Sequence, residues 1–382
     1  MRYLEHFIKR DFARNKMVLL AGPRQVGKTT FSFGFLEDIS KYNHFEDHPG
    51  YLNWDIPSDR KEILANNIPS TAVVVFDEIH KYSDWRNYLK GVYDKHHSRI
   101  KILVTGSAKL DFYQRGGDSL QGRYFFFRLH PLSPREINDE IDDKLERLLK
   151  FGGFPEPFYE GDIVFWKRWQ NLRQKRLIEE DLIYLEKVRD LSNLEVLMSV
   201  LPDRVGSLLS YNSLREDLNC SHEAIKNWMR ILENLYFHFI VTPFTGSKLK
   251  SIKKEPKMFL WDWSLVESKG ARVENFVASM LLKYCHLRQD AYGENLVLHF
   301  FRTKDKREID FLVCENGKPV FAVECKSNST SLAKNFLSLR PHFLDIPFYQ
   351  VHTNPNGKSF MHADSNIEVL PLAMFLDRVL EL

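Results

Sequence analysis

The chain has 382 residues, 43% of them hydrophobic, enough for two or three domains with cores of their own. Its net charge of +3 neither requires nor rules out nucleic acid, so local patches must decide. Four scattered cysteines without a C-x-x-C pair argue against a disulfide framework or zinc site, and the longest apolar runs are too short to cross a bilayer.

The opening stretch, MRYLEHFIKRDFARNK, mixes charge with apolar residues at helical spacing and does not read as a signal peptide. With the unpaired cysteines it predicts a reduced, cytoplasmic protein with no membrane partner. Next comes MVLLAGPRQVGKTTF. A short apolar strand, Met17 to Ala21, runs into Gly22, Pro23, Arg24, Gln25, Val26, Gly27, Lys28 and Thr29, with Thr30 following. This is a complete G-x-x-x-x-G-K-[ST] phosphate loop between a strand and a helix. Gly27 lets the backbone N–H groups curl toward phosphate oxygens, and the helix start adds its positive dipole end. Lys28 then reaches the β- and γ-phosphates of the nucleotide, and the Thr29 hydroxyl joins the shell of a Mg²⁺ ion.

TAVVVFDEIHK is a continuous apolar run, as a central parallel strand needs, and it ends in Asp77 and Glu78. Asp77 is placed to hold Mg²⁺, and Glu78 to polarise the attacking water. A third strand, IKILVTGS, ends in Ser107, which would either sense the γ-phosphate or cap the turn that follows. Arg123 precedes another apolar strand; it is a candidate for stabilising transition-state charge, against the common case of a solvated arginine.

Gly-Pro-Arg-x-Val-Gly-Lys-Thr-Thr, the VFDEIHK strand with Asp84-Trp85 after it, VTGSAKL and HPLS together resemble the AAA-type ATPase domain of a large prokaryotic family. In that family the ATPase is fused to a C-terminal domain of unknown function. GGFPEP, Gly152 to Pro157, matches its pattern beyond the ATPase core. The resemblance implies a P-loop AAA fold and ATP, rather than GTP, as the nucleotide.

From Ser133 to about Val200 the chain reads as charged helices broken at GGFPEP. SLREDLNCSHEAIKNWMRILENLYFHFIVTPF then has helix–turn–helix shape, with Ser213 and Ser221 as expected N-caps. FHFIVTPF and SKLKSIKKEPKMFLW would form a wing. The second helix balances Lys226 and Arg230 against Glu223 and Glu233, so it is no basic reading face. The wing is different: Lys248, Lys250, Lys253, Lys254 and Lys257 crowd together. They could neutralise nucleic-acid phosphates without reading sequence, or simply line a solvated loop.

The last part predicts a helix from Ala271 to about Tyr284 carrying Glu274, then the strands NLVLHFFRT, REIDFLVCEN and KPVFAVECK. Glu274, Asp310 and Glu324-x-Lys326 make the PD-(D/E)xK set of restriction-endonuclease-like folds. Carboxylates hold Mg²⁺ beside a scissile phosphate, and a lysine steadies the developing charge. The resembled family shows the same Glu, Asp and Glu-x-Lys pattern in its C-terminal domain. For the hairpin, a three-residue loop, Asn316 to Lys318, pairs Glu315 with Pro319. A bulge at Gly317 then sets Asp310 opposite Glu324 and Glu308 opposite Lys326. Surface ion pairs, or a nuclease fold kept for binding alone, remain competing readings.

The sequence therefore predicts an α/β protein in four parts: an AAA ATPase core over residues 1–135, a helical lid or linker over 136–200, a winged helix over 201–258, and a restriction-endonuclease-like domain over 259–382. Two functions stay open. One is an ATP-hydrolysing protein gating a Mg²⁺-dependent nuclease that acts on nucleic acid. The other is a regulatory ATPase whose C-terminal domain binds a protein or DNA partner without cutting, with homo-oligomers open in either case.

Overall fold

The computed structural model describes residues 2–106, 120–138, 143–178, 191–245, 255–327, 329–354, 356–362 and 366–382. Ser107, Lys248, Lys250, Lys253 and Lys254 lie outside them. The chain forms two compact units, Met1–His130 and Pro131–Leu382.

The first unit is built on five parallel strands: β1 (Met17–Ala21), β2 (Tyr51–Asn53), β3 (Val73–Asp77), β4 (Lys101–Thr105) and β5 (Tyr124–Arg128), in the order β2-β3-β4-β1-β5. Every residue of β1 and β3 is buried, because helices cover both faces of a parallel sheet and leave no solvated side to be polar. Leu19, Val74, Phe76, Ile102 and Val104 pack with Trp85, Leu89 and Val92 of the helix Trp85–His96. β4 lies between β1 and β3, so the phosphate loop after Ala21 and the acidic end of β3 share one edge of the sheet. This is an α/β fold of the P-loop AAA type.

The second unit carries an eight-stranded mixed sheet. Its strands are β6 (His238–Pro243), β7 (Lys257–Leu260), β8 (Leu296–Arg302), β9 (Glu308–Glu315), β10 (Lys318–Lys326), β11 (Phe348–His352), β12 (Phe360–His362) and β13 (Ile367–Pro371), ordered β12-β13-β11-β10-β9-β8-β6-β7. The helix Lys269–Tyr292 buries Val273, Phe276, Val277, Met280 and Leu281. The two strands expected as a wing, β6 and β7, are the edge of this larger sheet: β6 runs parallel to β8 through Thr242–His299 and Pro243–Phe300. A two-stranded ribbon alone is marginal in water, and pairing with β8 removes one of its open edges. The boundary placed at 258 thus falls inside one sheet. Ahead of it, Ser210 rather than Ser213 caps the helix Tyr211–Asp217, while Ser221 caps His222–Asn234.

The β9–β10 hairpin departs from expectation at its turn. Glu315 pairs with Lys318, so the loop is the two-residue Asn316-Gly317, and the register shifts between Pro319 and Phe321. Asn316 and Gly317 both have positive φ, 51° and 79°, as a turn matched to strand twist requires. Pro319 has no N–H to give the ladder, and the irregularity falls beside it. Beyond it Ala322 pairs with Leu312 and Val323 with Phe311, the register that the apolar pattern demanded.

GGFPEP is a packing device. A Cβ on Gly152 would stand 2.7 Å from Asp262 Oδ1, and one on Gly153 2.6 Å from the Trp263 ring. Asp262, which is buried, accepts from Gln170 (2.7 Å) and Arg173 (3.2 Å) of the helix Ile163–Arg176.

Candidate functional site

The phosphate loop leaves β1 through Gly22, where a Cβ would meet the Leu129 carbonyl oxygen at 2.5 Å; only glycine lets the backbone pass so close. Gly27, at φ 93°, starts the helix Lys28–Phe33. The Lys28 side chain is buried and donates to the loop carbonyls of Gly22 (3.0 Å) and Pro23 (2.8 Å). Arg2 donates to the Val26 carbonyl at 3.1 Å, tying the N-terminal segment to the loop.

At the end of β3, Asp77 is 3% exposed and accepts from three hydroxyls. Thr29 donates to its Oδ2 at 2.9 Å, Tyr51 donates to the same oxygen at 2.7 Å, and Thr105 donates to Oδ1. Tyr51 in turn accepts from Asn53 Nδ2 at 3.1 Å. Burial, with the adjacent Asp77 carboxylate, pushes the Tyr51 phenol well above its usual range, so it stays a donor. The Thr29 hydroxyl and Asp77 carboxylate are hard oxygen donors side by side, a set that fits Mg²⁺. Glu78 sits at φ 55°, its N–H bonded to the Thr105 carbonyl at 3.0 Å. Burial pushes its carboxyl up to about 7 against the pull of Lys28, with Asp77 adding to the rise. Among the described residues, one carboxyl oxygen of Glu78 makes no hydrogen bond, although His80 Nε2 stands 3.4 Å away.

Arg123 is not part of this site. The β1–β5 register places Arg128, not Arg123, beside Ala21, and the Arg123 carbonyl accepts from Met17 at the opposite end of the sheet. At about 3.3 Å per strand residue, that is roughly 16 Å from the loop. Arg123 is also engaged by Asp94, at 2.7 Å and 3.1 Å.

In the second unit, Glu274, Asp310, Glu324 and Lys326 come into one neighbourhood. Asp310 Oδ2 accepts from the Cys325 N–H at 2.8 Å, and Lys326 donates to Glu324 Oε1 at 2.8 Å along its own strand rather than reaching Glu308. Burial, then the charge of Asp310, pushes the Glu274 carboxyl up to about 7 and that of Glu324 up to about 8. Burial also raises Asp310 above the usual carboxylate range, against the pull of Lys257.

Lys257 is the correction here. Counted by sequence with the wing lysines, it is 3% exposed and faces inward, so it is unavailable to a phosphate backbone. Its ammonium lies 3.1 Å from Glu274 Oε1 and 2.6 Å from Glu308 Oε1, and Arg302 holds the other oxygen of Glu308 at 2.9 Å. Among the described residues, no three His, Cys, Asp or Glu side chains are grouped so as to hold a metal ion. The expected trio therefore shares a neighbourhood without forming a coordination sphere. Sequence reasoning also missed Tyr51, whose short strand carries no motif. The signal for Lys257 was present: a lysine heading the apolar run KMFLW.

Comparison with known proteins agrees with the ATPase half of this picture. Residues 14–138 match the AAA domain family, residues 142–272 a domain of unknown function (DUF8612), and residues 269–375 a domain of unknown function (DUF4143). The uncharacterized protein Rv2008c of Mycobacterium tuberculosis is 24% identical over 354 residues, covering 89% of this chain and 76% of that one. The uncharacterized protein MJ1637 of Methanocaldococcus jannaschii is 22% identical over 306 residues, covering 67% of this chain and 62% of that one. A signal-transduction ATPase (STAND protein) with a tetratricopeptide repeat sensor from Pyrococcus horikoshii aligns at 16% identity over 74% of this chain and 47% of that one; its TM-score of 0.22 is too low to bear on fold or function. No helix among the described residues is long and apolar enough to cross a membrane. The chain carries an AAA-type P-loop ATPase domain followed by C-terminal domains of unknown function.

Proposed function

We propose that the chain binds and hydrolyses ATP at the phosphate loop and uses the nucleotide state to control a nuclease-like site at Glu274, Asp310, Glu324 and Lys326 that acts on nucleic acid. One observation carries the first half: the Thr29 hydroxyl donates to the Asp77 carboxylate at 2.9 Å, on the sheet edge where Glu78 and the phosphate loop also end. In this reading Lys28 leaves its loop carbonyls for the β- and γ-phosphates. Glu78 takes a proton from water as the water oxygen bonds to the γ-phosphorus. The bond to the β–γ bridging oxygen breaks, and ADP leaves with its electron pair. Bound Mg²⁺ supplies charge neutralisation, held by Thr29 and Asp77. Gly22 to Thr30 enclose the phosphates, Ser107 is assigned the γ-phosphate sensor role, and Lys248, Lys250, Lys253 and Lys254 are assigned backbone contacts to nucleic acid.

The second reading is a regulatory ATPase whose C-terminal domain binds a partner without cutting. The Lys257 ammonium among the acids favours it, since the cluster has cationic partners without a metal. Incubation of the purified chain with single- and double-stranded DNA and RNA separates the two. Mg²⁺ or Mn²⁺ is present, ATP is included or left out, and Lys326→Ala and Lys28→Ala run alongside. Cleavage lost in Lys326→Ala supports the nuclease, and its loss in Lys28→Ala shows ATP gating. Hydrolysis of ATP with every nucleic acid intact selects the second reading. An unchanged ATPase in Lys28→Ala would sink both.

A further inference from the structure

The acidic cluster of the second unit is built from three directions. Glu274 comes from the helix Lys269–Tyr292, Glu308 and Asp310 from β9, and Glu324 from β10. A cluster of carboxylates this deep needs positive charge, because each buried anion without a partner costs several kcal/mol. The deepest cation comes from outside those elements. Lys257 heads β7, on the other side of β8 in strand order, with its ammonium 3.1 Å from Glu274 and 2.6 Å from Glu308. Its charge also acts on Asp310. The glycine at 206 closes the cluster on another side: a Cβ there would stand 2.9 Å from Glu274 Oε2.

A second observation points to a cation. Glu324 is 5% exposed, and its Oε2 makes no hydrogen bond among the described residues, although Lys326 engages its other oxygen at 2.8 Å. Buried carboxylate oxygens without partners are rare in folded proteins, and one beside Asp310 marks a place where a ligand would lower the energy. Yet among the described residues no three acidic side chains form a coordination sphere.

We propose that Lys257 is a resident counter-cation of this cluster, so that its ammonium and a divalent metal ion compete for the same carboxylates. Lys257 already neutralises Glu274 and Glu308, so a metal ion drawn to Glu274 would meet its ammonium at close range. Conversely, a divalent ion among Glu274, Asp310 and Glu324 would repel the ammonium. The site takes metal only as Lys257 withdraws, which makes Lys257 a regulator of metal loading. This rests on the reading of the cluster as a nuclease-like site.

Calorimetric titration of the full chain with Mn²⁺, without nucleotide, tests the competition. Wild type is compared with Lys257→Met, Lys257→Arg, Asp310→Asn and the Lys257→Met/Asp310→Asn pair. Lys257→Met should bind one Mn²⁺ at least about tenfold more tightly than wild type, a gain of about 1.4 kcal/mol. The gain should vanish in the double variant and be absent from Lys257→Arg, which keeps the charge. Equal binding by wild type and Lys257→Met overturns the proposal. So does tight wild-type binding that Asp310→Asn abolishes, or a gain in Lys257→Arg. Should Lys257→Met be unfolded without metal, recovery of its circular dichroism on adding Mn²⁺ supports competition, and no recovery overturns it. DNA cleavage by the same variants separates the two ideas. Mn²⁺ gained without cleavage leaves Lys257 as counter-cation and removes the nuclease. Cleavage by wild type without any gain in Lys257→Met does the reverse.

Discussion

Asp77 shows how much a single carboxylate can depend on neighbours far away in sequence. Thr29, Tyr51 and Thr105 all donate to it, and Tyr51 is itself oriented by Asn53. Removing the phenol oxygen leaves the ring packed against Phe33 but frees one lone pair of Asp77 Oδ2. A hydrogen bond to a charged group contributes about 1.5–3 kcal/mol. If that contribution orients the carboxylate for the chemical step, Tyr51→Phe should lower kcat for ATP hydrolysis roughly tenfold, at about 1.4 kcal/mol per decade. KM for ATP should move less than about twofold in the same assay. A lowered melting temperature with unchanged kcat would show that Tyr51 serves stability alone.

Strand elements bring together groups that the sequence separates, and one such group has a pH signature. His238 opens β6 opposite Leu260, is 1% exposed, and makes no hydrogen bond from either ring nitrogen among the described residues. Burial pushes it down to about 3, against about 6.5 for a free imidazole. Between those values the unfolded chain binds a proton that the folded chain refuses, so folding stability falls as pH drops below about 6.5. The slope is about 1.4 kcal/mol per pH unit. His238→Phe should lose less stability than wild type between pH 7.5 and 5.5, by about 1.4 kcal/mol, in denaturant unfolding of the second unit. Equal losses would show that the ring is solvated. The hairpin shows the same dependence on element geometry. Its two-residue turn and the shift after Pro319 together produce the register that leads Glu324 toward Asp310, and neither does so alone.

At the scale of the whole molecule, the chain has two units with their own cores, and β6 through β13 belong to one sheet. Differential scanning calorimetry should therefore show two transitions rather than one for each expected domain, with residues 131–382 melting together. ATP with Mg²⁺ at 100 times its dissociation constant should stabilise the Met1–His130 transition by about 2.7 kcal/mol. Lys28→Ala should remove that shift. A separate transition for the β6–β7 region would mean that its pairing with β8 contributes little.

The sequence alone determined what is local. Eight contiguous residues specify the phosphate loop, because its chemistry is backbone curvature, one lysine and one hydroxyl between a strand and a helix. Continuous apolar runs identified β1, β3 and β4, since a parallel strand covered on both faces admits few polar residues. The acids of the second cluster were legible as a set because their strands were otherwise apolar. Only the tertiary structure decided partnership. It put Arg123 at the far end of β5, Tyr51 on Asp77, and Lys257 among the acids rather than on a wing. Periodicity reports which face of an element is buried, whereas what lies against that face depends on strand order, register and packing between segments far apart in the chain.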